Sequence, residues 1–240
     1  MEVHAHSHTA RKKWTHYLWE FVMLFLAVFC GFLAENIREH NVEKKKGEQY
    51  ILSFAEDLKK DIAQCDLSIP ELTETMRVLQ NLPPCFNILQ ENIHKTGCLK
   101  EIIISSRGFK DFIYTDRTIQ QLKNAGGLRL IEDKQIADSI IDYDAMVREM
   151  QIHQGVLENL QQFTNNAHKS MIDFIHLNEL ILKGQTDELF LLSNVTVELN
   201  KYFNSINEFK GGLFGQLKWM HLIKDKAIRL LELLHQKGYK

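Results

Sequence analysis

The chain has 240 residues, 45% hydrophobic and 25% charged, with 29 basic and 31 acidic side chains and a net charge of −2. That balance suits one globular domain with a real core and lacks the basic excess of a nucleic-acid binder. Three prolines and 12 glycines are too few for a β-rich or linker-rich chain.

Phe21–Ala34 is an unbroken apolar run, entered through Arg11-Lys12-Lys13 and left through Glu35-Asn36-Ile37-Arg38-Glu39. At about fourteen residues it is short for a membrane span. Trp14, Tyr17, Leu18 and Trp19 extend it backwards, so a helix from Trp14 to Ala34 is about 30 Å long, enough to cross the hydrocarbon. The tryptophans and tyrosine also suit the headgroup level. A cleaved secretory signal competes, because it too has a basic start and an apolar core. Cleavage after Ala34 would place Phe32 at the outer recognition position, cleavage after Gly31 would place Phe29 there, and Phe29 is too bulky for a lipoprotein site at Cys30.

The expectation is therefore an uncleaved anchor: a tail at 1–13, a transmembrane helix at 14–35, a helical stalk at 36–49 and a helical domain at 50–240. Arg11, Lys12 and Lys13 abut the span, whereas Lys44, Lys45 and Lys46 lie further from its other end. This favours a cytoplasmic tail and an extracytoplasmic, periplasmic domain on the inner membrane. Leu189–Leu192 and Ile228–Leu234 are too short for a second span.

Helix-period patterning follows the anchor. Tyr50, Phe54, Leu58 and Ile62 recur every four residues, which predicts one continuous helix from about Trp14 to Cys65. Pro70 fits the first turn of a second helix carrying Leu72, Met76 and Leu79, which Pro83-Pro84 ends. A short helix from Cys85 to about His94 stops at Gly97. Leu99–Ser106 reads as a buried helical turn, with a strand as the alternative. Tyr114-Thr115-Asp116 supplies a cap for a helix with Ile119, Leu122 and Ala125 on its stripe, closed by Gly126-Gly127. From Asp133 the pattern Ile136, Ile140, Tyr143, Val147, Met150, Leu157, Leu160, Phe163 and Ala167 predicts one helix reaching about Leu182. Gly184–Asp187 turns the chain, a helix from about Glu188 reaches Phe209, Gly211-Gly212 breaks it, and a last helix spans Phe214 to His235. The fold class is all-α, a single amino-terminal transmembrane helix continuing into an elongated antiparallel bundle.

Beyond Cys30, the cysteines Cys65, Cys85 and Cys98 match no zinc spacing. They can act as small buried hydrophobes, or two of them can pair in an oxidising compartment. Three pairings are open, and Cys85 with Cys98 brackets the shortest loop.

Two stretches carry a resemblance. Trp14, Tyr17, Trp19-Glu20-Phe21 and Gly31-Phe32-Leu33-Ala34-Glu35 form a W-x-x-Y-x-W-E-F…G-F-L-A-E anchor that resembles the start of a group of bacterial single-span membrane proteins of unknown function. Tyr114-Thr115 through Leu122-Lys123-Asn124-Ala125-Gly126-Gly127-Leu128-Arg129-Leu130-Ile131 resembles an internal segment of related families. The resemblance implies an inner-membrane protein with a helical extracytoplasmic domain, and it implies no activity.

Among individual residues, Glu20 is ionisable within the span, where charge is costly and often functional. Its proximity to Lys13 also permits an interfacial role. Glu20, Leu24, Ala27, Gly31 and Ala34 step by four and three and line one face with mostly small residues, a surface on which membrane helices can pair. His4, His6 and His8 are weak metal candidates on a polar tail. His153, His168, His176 and His221 lack ligand spacing and read as surface or capping residues. Gly126-Gly127 is a helix stop rather than a phosphate loop, and Lys44-Lys45-Lys46 reads as a solvated face.

No catalytic or cofactor-binding signature emerges, and no cofactor is expected. The leading expectation is a non-enzymatic, membrane-anchored interaction, sensing or scaffold module. Its partners would be the lipid bilayer, a second copy through the membrane helix, or another envelope protein, and not nucleic acid. The alternative is an enzyme or metal-handling protein using scattered Asp, Glu and His of the bundle.

Overall fold

The computed structural model describes residues 14–124, 126–183, 191–192 and 196–239. Seven α-helices are described: α1 (Trp14–Leu79), α2 (Leu82–Glu91), α3 (Leu99–Ser106), α4 (Arg117–Asn124), α5 (Lys134–Met171), α6 (Phe174–Lys183) and α7 (Thr196–Gln236). No strand occurs among the described residues, only a lone bridge between Ile172 and Leu191. The fold is all-α, as the periodicity predicts.

α1 is a single helix of 66 residues, about 100 Å long. Its first part is span-length, apolar and wholly unburied, with a mean hydropathy of 2.0 near the amino terminus. One helix is thus long and apolar enough to cross a membrane. Its later part carries the buried stripe Ile51, Phe54, Leu58, Cys65, Leu72 and Leu79. α1 also continues through Pro70, where the sequence pattern suggests a new helix. Pro70 removes one ladder hydrogen bond, but Cys65, Ser68, Leu72 and Leu79 stay buried on either side of it, and packing carries the helix across.

Four legs make the bundle. α1 rises from the apolar end. A broken second leg, residues 99–131, descends from Ser106 past the α1 residues Gln64, Asp61 and Asp57 to a 3-10 turn at Gly127–Leu130 beside Gly47. α5 rises again and α7 descends, with Lys237 meeting Asp133 at 2.7 Å. Phe54 meets Tyr143 edge-on, and Leu157, Phe209, Leu213, Met220 and Ile223 fill the core between α5 and α7.

Local signals set the remaining boundaries. Asp133 caps α5 by accepting from the Gln135 and Ile136 amides at 2.9 and 3.2 Å. α5 ends at Met171 rather than near Leu182, because Ile172 turns extended and Asp173 caps α6 through the Ile175 and His176 amides. α7 runs unbroken through Gly211-Gly212, contrary to the expected break. Gly212 serves close packing, since a Cβ there would sit 2.7 Å from Leu157 Cδ1. α4 closes at Gly126, whose φ of 63° is left-handed. The expected stripe residue Ala125, the Gly184–Asp187 turn and the Glu188 helix start lie outside the described residues.

Candidate functional site

Three features carry unusual polar or exposed chemistry. The first is the interface where the second leg docks. Residues 107–116 have no helical ladder, so their backbone groups need partners from elsewhere. Gln64 on α1 accepts from the Ile113 amide at 3.0 Å and donates to the Ile113 carbonyl at 2.7 Å. On α5, Gln154 accepts from the Phe112 amide and Gln161 donates to the Arg107 carbonyl. Asp61 accepts from the Thr115 amide at 3.0 Å and the Tyr143 hydroxyl at 2.8 Å.

Asp57, buried, accepts from the Thr118 amide and hydroxyl and from Arg117. The first turn of α4 is therefore capped by a carboxylate from α1, where the sequence suggests a cap from Tyr114-Thr115-Asp116. Asp144 collects Tyr114, Lys123 and Arg148. Desolvation raises the Asp61 pKa against the pull of its Thr115 and Tyr143 hydrogen bonds. Burial also pulls Asp144 upward, but the Arg148 and Lys123 hydrogen bonds outweigh it and the net shift is downward. Three buried aspartates do lie inside the bundle, as an enzyme or metal reading anticipates. Each is engaged by structural donors, and no group of three metal-capable side chains occurs among the described residues.

The second feature is a buried chain of Ser106, His168 and Tyr202, which joins α3, α5 and α7. His168 Nε2 lies 2.9 Å from Ser106 Oγ, and Nδ1 lies 3.0 Å from the Tyr202 hydroxyl. Ser106 donates to the Ile102 carbonyl at 2.6 Å. One neutral tautomer satisfies everything: Tyr202 donates to Nδ1, Nε2–H donates to Ser106, and Ser106 donates to the backbone. A nucleophilic serine needs the opposite arrangement, with its proton directed at the imidazole. Desolvation lowers the His168 pKa to about 4, so the ring is neutral near pH 7. His168 is thus neither a surface nor a capping residue. Periodicity alone gives no warning of it, since a buried histidine on a helical stripe looks like any polar interruption. His153 packs on Gly215 and bonds the Gly212 carbonyl at 3.1 Å, whereas His221 is exposed.

The third feature is the apolar amino-terminal part of α1. Glu20 faces His16 at 3.0 Å. Glu20, Leu24, Ala27, Gly31 and Ala34 share one exposed face, and a Cβ at Gly31 would meet nothing within 4 Å. Continued at 100° per residue, that face runs through the exposed Val42, Gln49, Leu52, Glu56, Ala63 and Leu67. Gly47, Phe54, Leu58 and Cys65, which face the bundle, lie on the opposite side of the helix. Among the described residues, the first ion pairs between α1 and the rest are His40 to Glu132 at 3.8 Å and Glu43 to Arg129 at 3.4 Å. Only about 9 Å of helix separates them from Ala34. His4, His6 and His8 lie outside the described residues.

Cys85 and Cys98 form a disulfide, with 5.6 Å between Cα atoms. It ties α2 to the turn before α3. Cys65 stays reduced and buried, with desolvation pushing its pKa up to about 12, and Cys30 stands exposed on the apolar segment. The pairing is the one with the shortest loop among the three open from sequence.

Comparison with protein-family models, curated proteins and solved structures gives no match.

Proposed function

We propose that this is a single-pass membrane protein whose helical domain lies outside the cytoplasm and acts without catalysis, as an interaction or sensing module. The observation that carries this reading is the continuity of α1, one uninterrupted helix from the apolar segment into the bundle core. A rigid connection of that kind converts a change in the bundle into rotation or pairing of the anchor. The Cys85–Cys98 disulfide supports the orientation, because disulfides persist in oxidising compartments. The basic Arg11-Lys12-Lys13 cluster points the same way. A non-catalytic role fits the His168 tautomer that gives every group of the Ser106–His168–Tyr202 chain a partner, and the structural donors on each buried aspartate.

Pairing with a second copy through Glu20, Leu24, Ala27, Gly31 and Ala34 fits this reading, since the bundle lies on the other side of α1 and leaves that face open. The test uses Gly31→Cys and Leu67→Cys chains in a Cys30→Ser background, crosslinked in native membranes. Both are expected to give dimers. Two residues inserted after Ile37 rotate the two parts of α1 by about 200° against each other. The Gly31→Cys crosslink should survive the insertion and the Leu67→Cys crosslink should vanish. Recovery of the full chain in the soluble fraction would remove the anchor, and monomers alone at both positions would remove the pairing.

A further inference from the structure

Beside the buried histidine chain, the ends of α3, α5 and α6 enclose a cleft of about 440 Å³ lined by Arg107, Asn165, Lys169, Phe174 and Asn178. Arg107 follows Ser106 at the end of α3. Asn165 and Lys169 stand one turn apart on α5, as do Phe174 and Asn178 on α6. Two cations and two amides therefore share the cleft, and among the described residues no carboxylate lines it.

Arg107 lies over the Phe174 ring, with its guanidinium carbon 5.2 Å from the centroid. Stacking of this kind fixes the guanidinium plane and leaves its N–H edges to meet an oxyanion. Neither Arg107 nor Lys169 forms an ion pair among the described residues. The carboxylate of Asp173, next to Phe174 in the chain, is turned to the α6 backbone as its cap. Cations near the ends of α3 and α5 also complement helix dipoles. That role does not call for the amides of Asn165 and Asn178 on the same cleft, nor for an aromatic support under Arg107.

We propose that this cleft binds a small soluble phosphate, inorganic or a phosphate monoester, held between Arg107 and Lys169 with Asn165 and Asn178 as neutral donors. Phe174 is a positioning residue that holds the Arg107 fork. The phosphate of a lipid headgroup shares this chemistry, but Asn165 lies about 45 Å along α5 from its lower end. The choice of a soluble source rests on the anchored reading above; binding of phosphate itself does not.

The test is calorimetric titration of the full chain in zwitterionic-lipid nanodiscs with inorganic phosphate and with glycerol 3-phosphate. Saturable binding below millimolar is expected. Arg107→Gln and Lys169→Gln should each weaken it at least about tenfold. Arg107→Lys should restore it only partly, because a lysine keeps the charge and loses the fork. Phe174→Ala should weaken Arg107-dependent binding while leaving the helical content unchanged. Should Arg107→Gln fail to fold, Lys169→Gln, at an exposed position, decides. Absence of saturable binding, or binding that both glutamine variants retain, overturns the site. Binding seen only with phosphatidic acid in the discs overturns the soluble source.

Discussion

The second leg and the α5–α7 pair sit in the same bundle but are held by different physics. Helices α5 and α7 meet mainly through an apolar stripe, with Leu157, Phe209, Leu213 and Met220 fully enclosed and Gly212 and Gly215 letting the backbones approach. Hydrogen bonds such as His153 to the Gly212 carbonyl and His168 to Tyr202 only punctuate it. Residues 107–118 instead hang largely on directed hydrogen bonds that their backbone amides donate to Gln64, Gln154, Asp61 and Asp57. Apolar packing tolerates small displacements and loses energy gradually. A directed bond to a buried amide, once removed, leaves the whole desolvation penalty behind. The second leg should therefore be the part of the domain that opens first, and single substitutions there should act locally.

The largest effect is expected at Gly47, where the second leg ends against α1. A Cβ at this position would collide with the Leu130 backbone carbonyl, which no side-chain rotation can relieve. Gly47→Ala should destabilise by about 3 kcal/mol, read from denaturant midpoints. A midpoint unchanged from wild type would mean that the Gly127–Leu130 turn is free to move away from α1.

His168 ties the two regions together, since Ser106 belongs to the second leg and Tyr202 to α7. Its pKa falls from 6.5 to about 4 on folding, with desolvation as the main cause. The unfolded chain thus binds more protons in that window, and stability is fully present above pH 6.5 and lost as pH falls towards 4. The loss should approach roughly 3 kcal/mol. Asp61, whose pKa is raised on folding, contributes with the opposite sign as it becomes protonated. Comparing wild type with His168→Gln isolates the histidine: the variant should be less stable at pH 7 and have a flatter profile between pH 6.5 and 4. Parallel profiles would show that the ring is not buried neutral.

Asp57→Ala should come next, at about 2 kcal/mol, because the Thr118 amide and hydroxyl lose their acceptor while the exposed Arg117 returns to water. Hydrogen exchange gives the sharper reading. Amides of residues 112–124 should lose protection while those of α5 and α7 keep theirs. Uniform loss across the domain would erase the distinction between the two regions.

These positions also mark what the chain made legible. The stripe of Phe54, Leu58, Ile136, Ile140, Tyr143 and Val147 is periodic, so the all-α bundle could be read directly. Gln64, Gln154 and Gln161 were not visible, because a glutamine on a helix looks solvated until the segment it clamps is in place. Pro70 and Gly211-Gly212 suggest breaks because local propensity favours them there, yet packing on both sides outweighs it. Asp173 is a legible cap that the continuing apolar pattern through Leu177 hides. The Cys85–Cys98 pairing needed the path of α2 and α3, which loop length alone leaves open.

The smallest effect tests the glycine argument from its other side. Gly211 lies in mid-helix in α7, exposed, and a Cβ there meets nothing within 4 Å, whereas its neighbour Gly212 faces Leu157 and Leu160. Gly211→Ala removes backbone entropy from the unfolded chain and should stabilise by about 0.5 to 1 kcal/mol. Gly212→Ala gains the same propensity but must displace the tip of Leu157, so it should be neutral or mildly destabilising. Side-chain ends can shift where the Leu130 carbonyl opposite Gly47 cannot, which ranks the three substitutions by what each methyl meets. If Gly211→Ala destabilised as much as Gly212→Ala, α7 would have to bend at this pair, and the continuous α5–α7 seam would give way to two shorter ones.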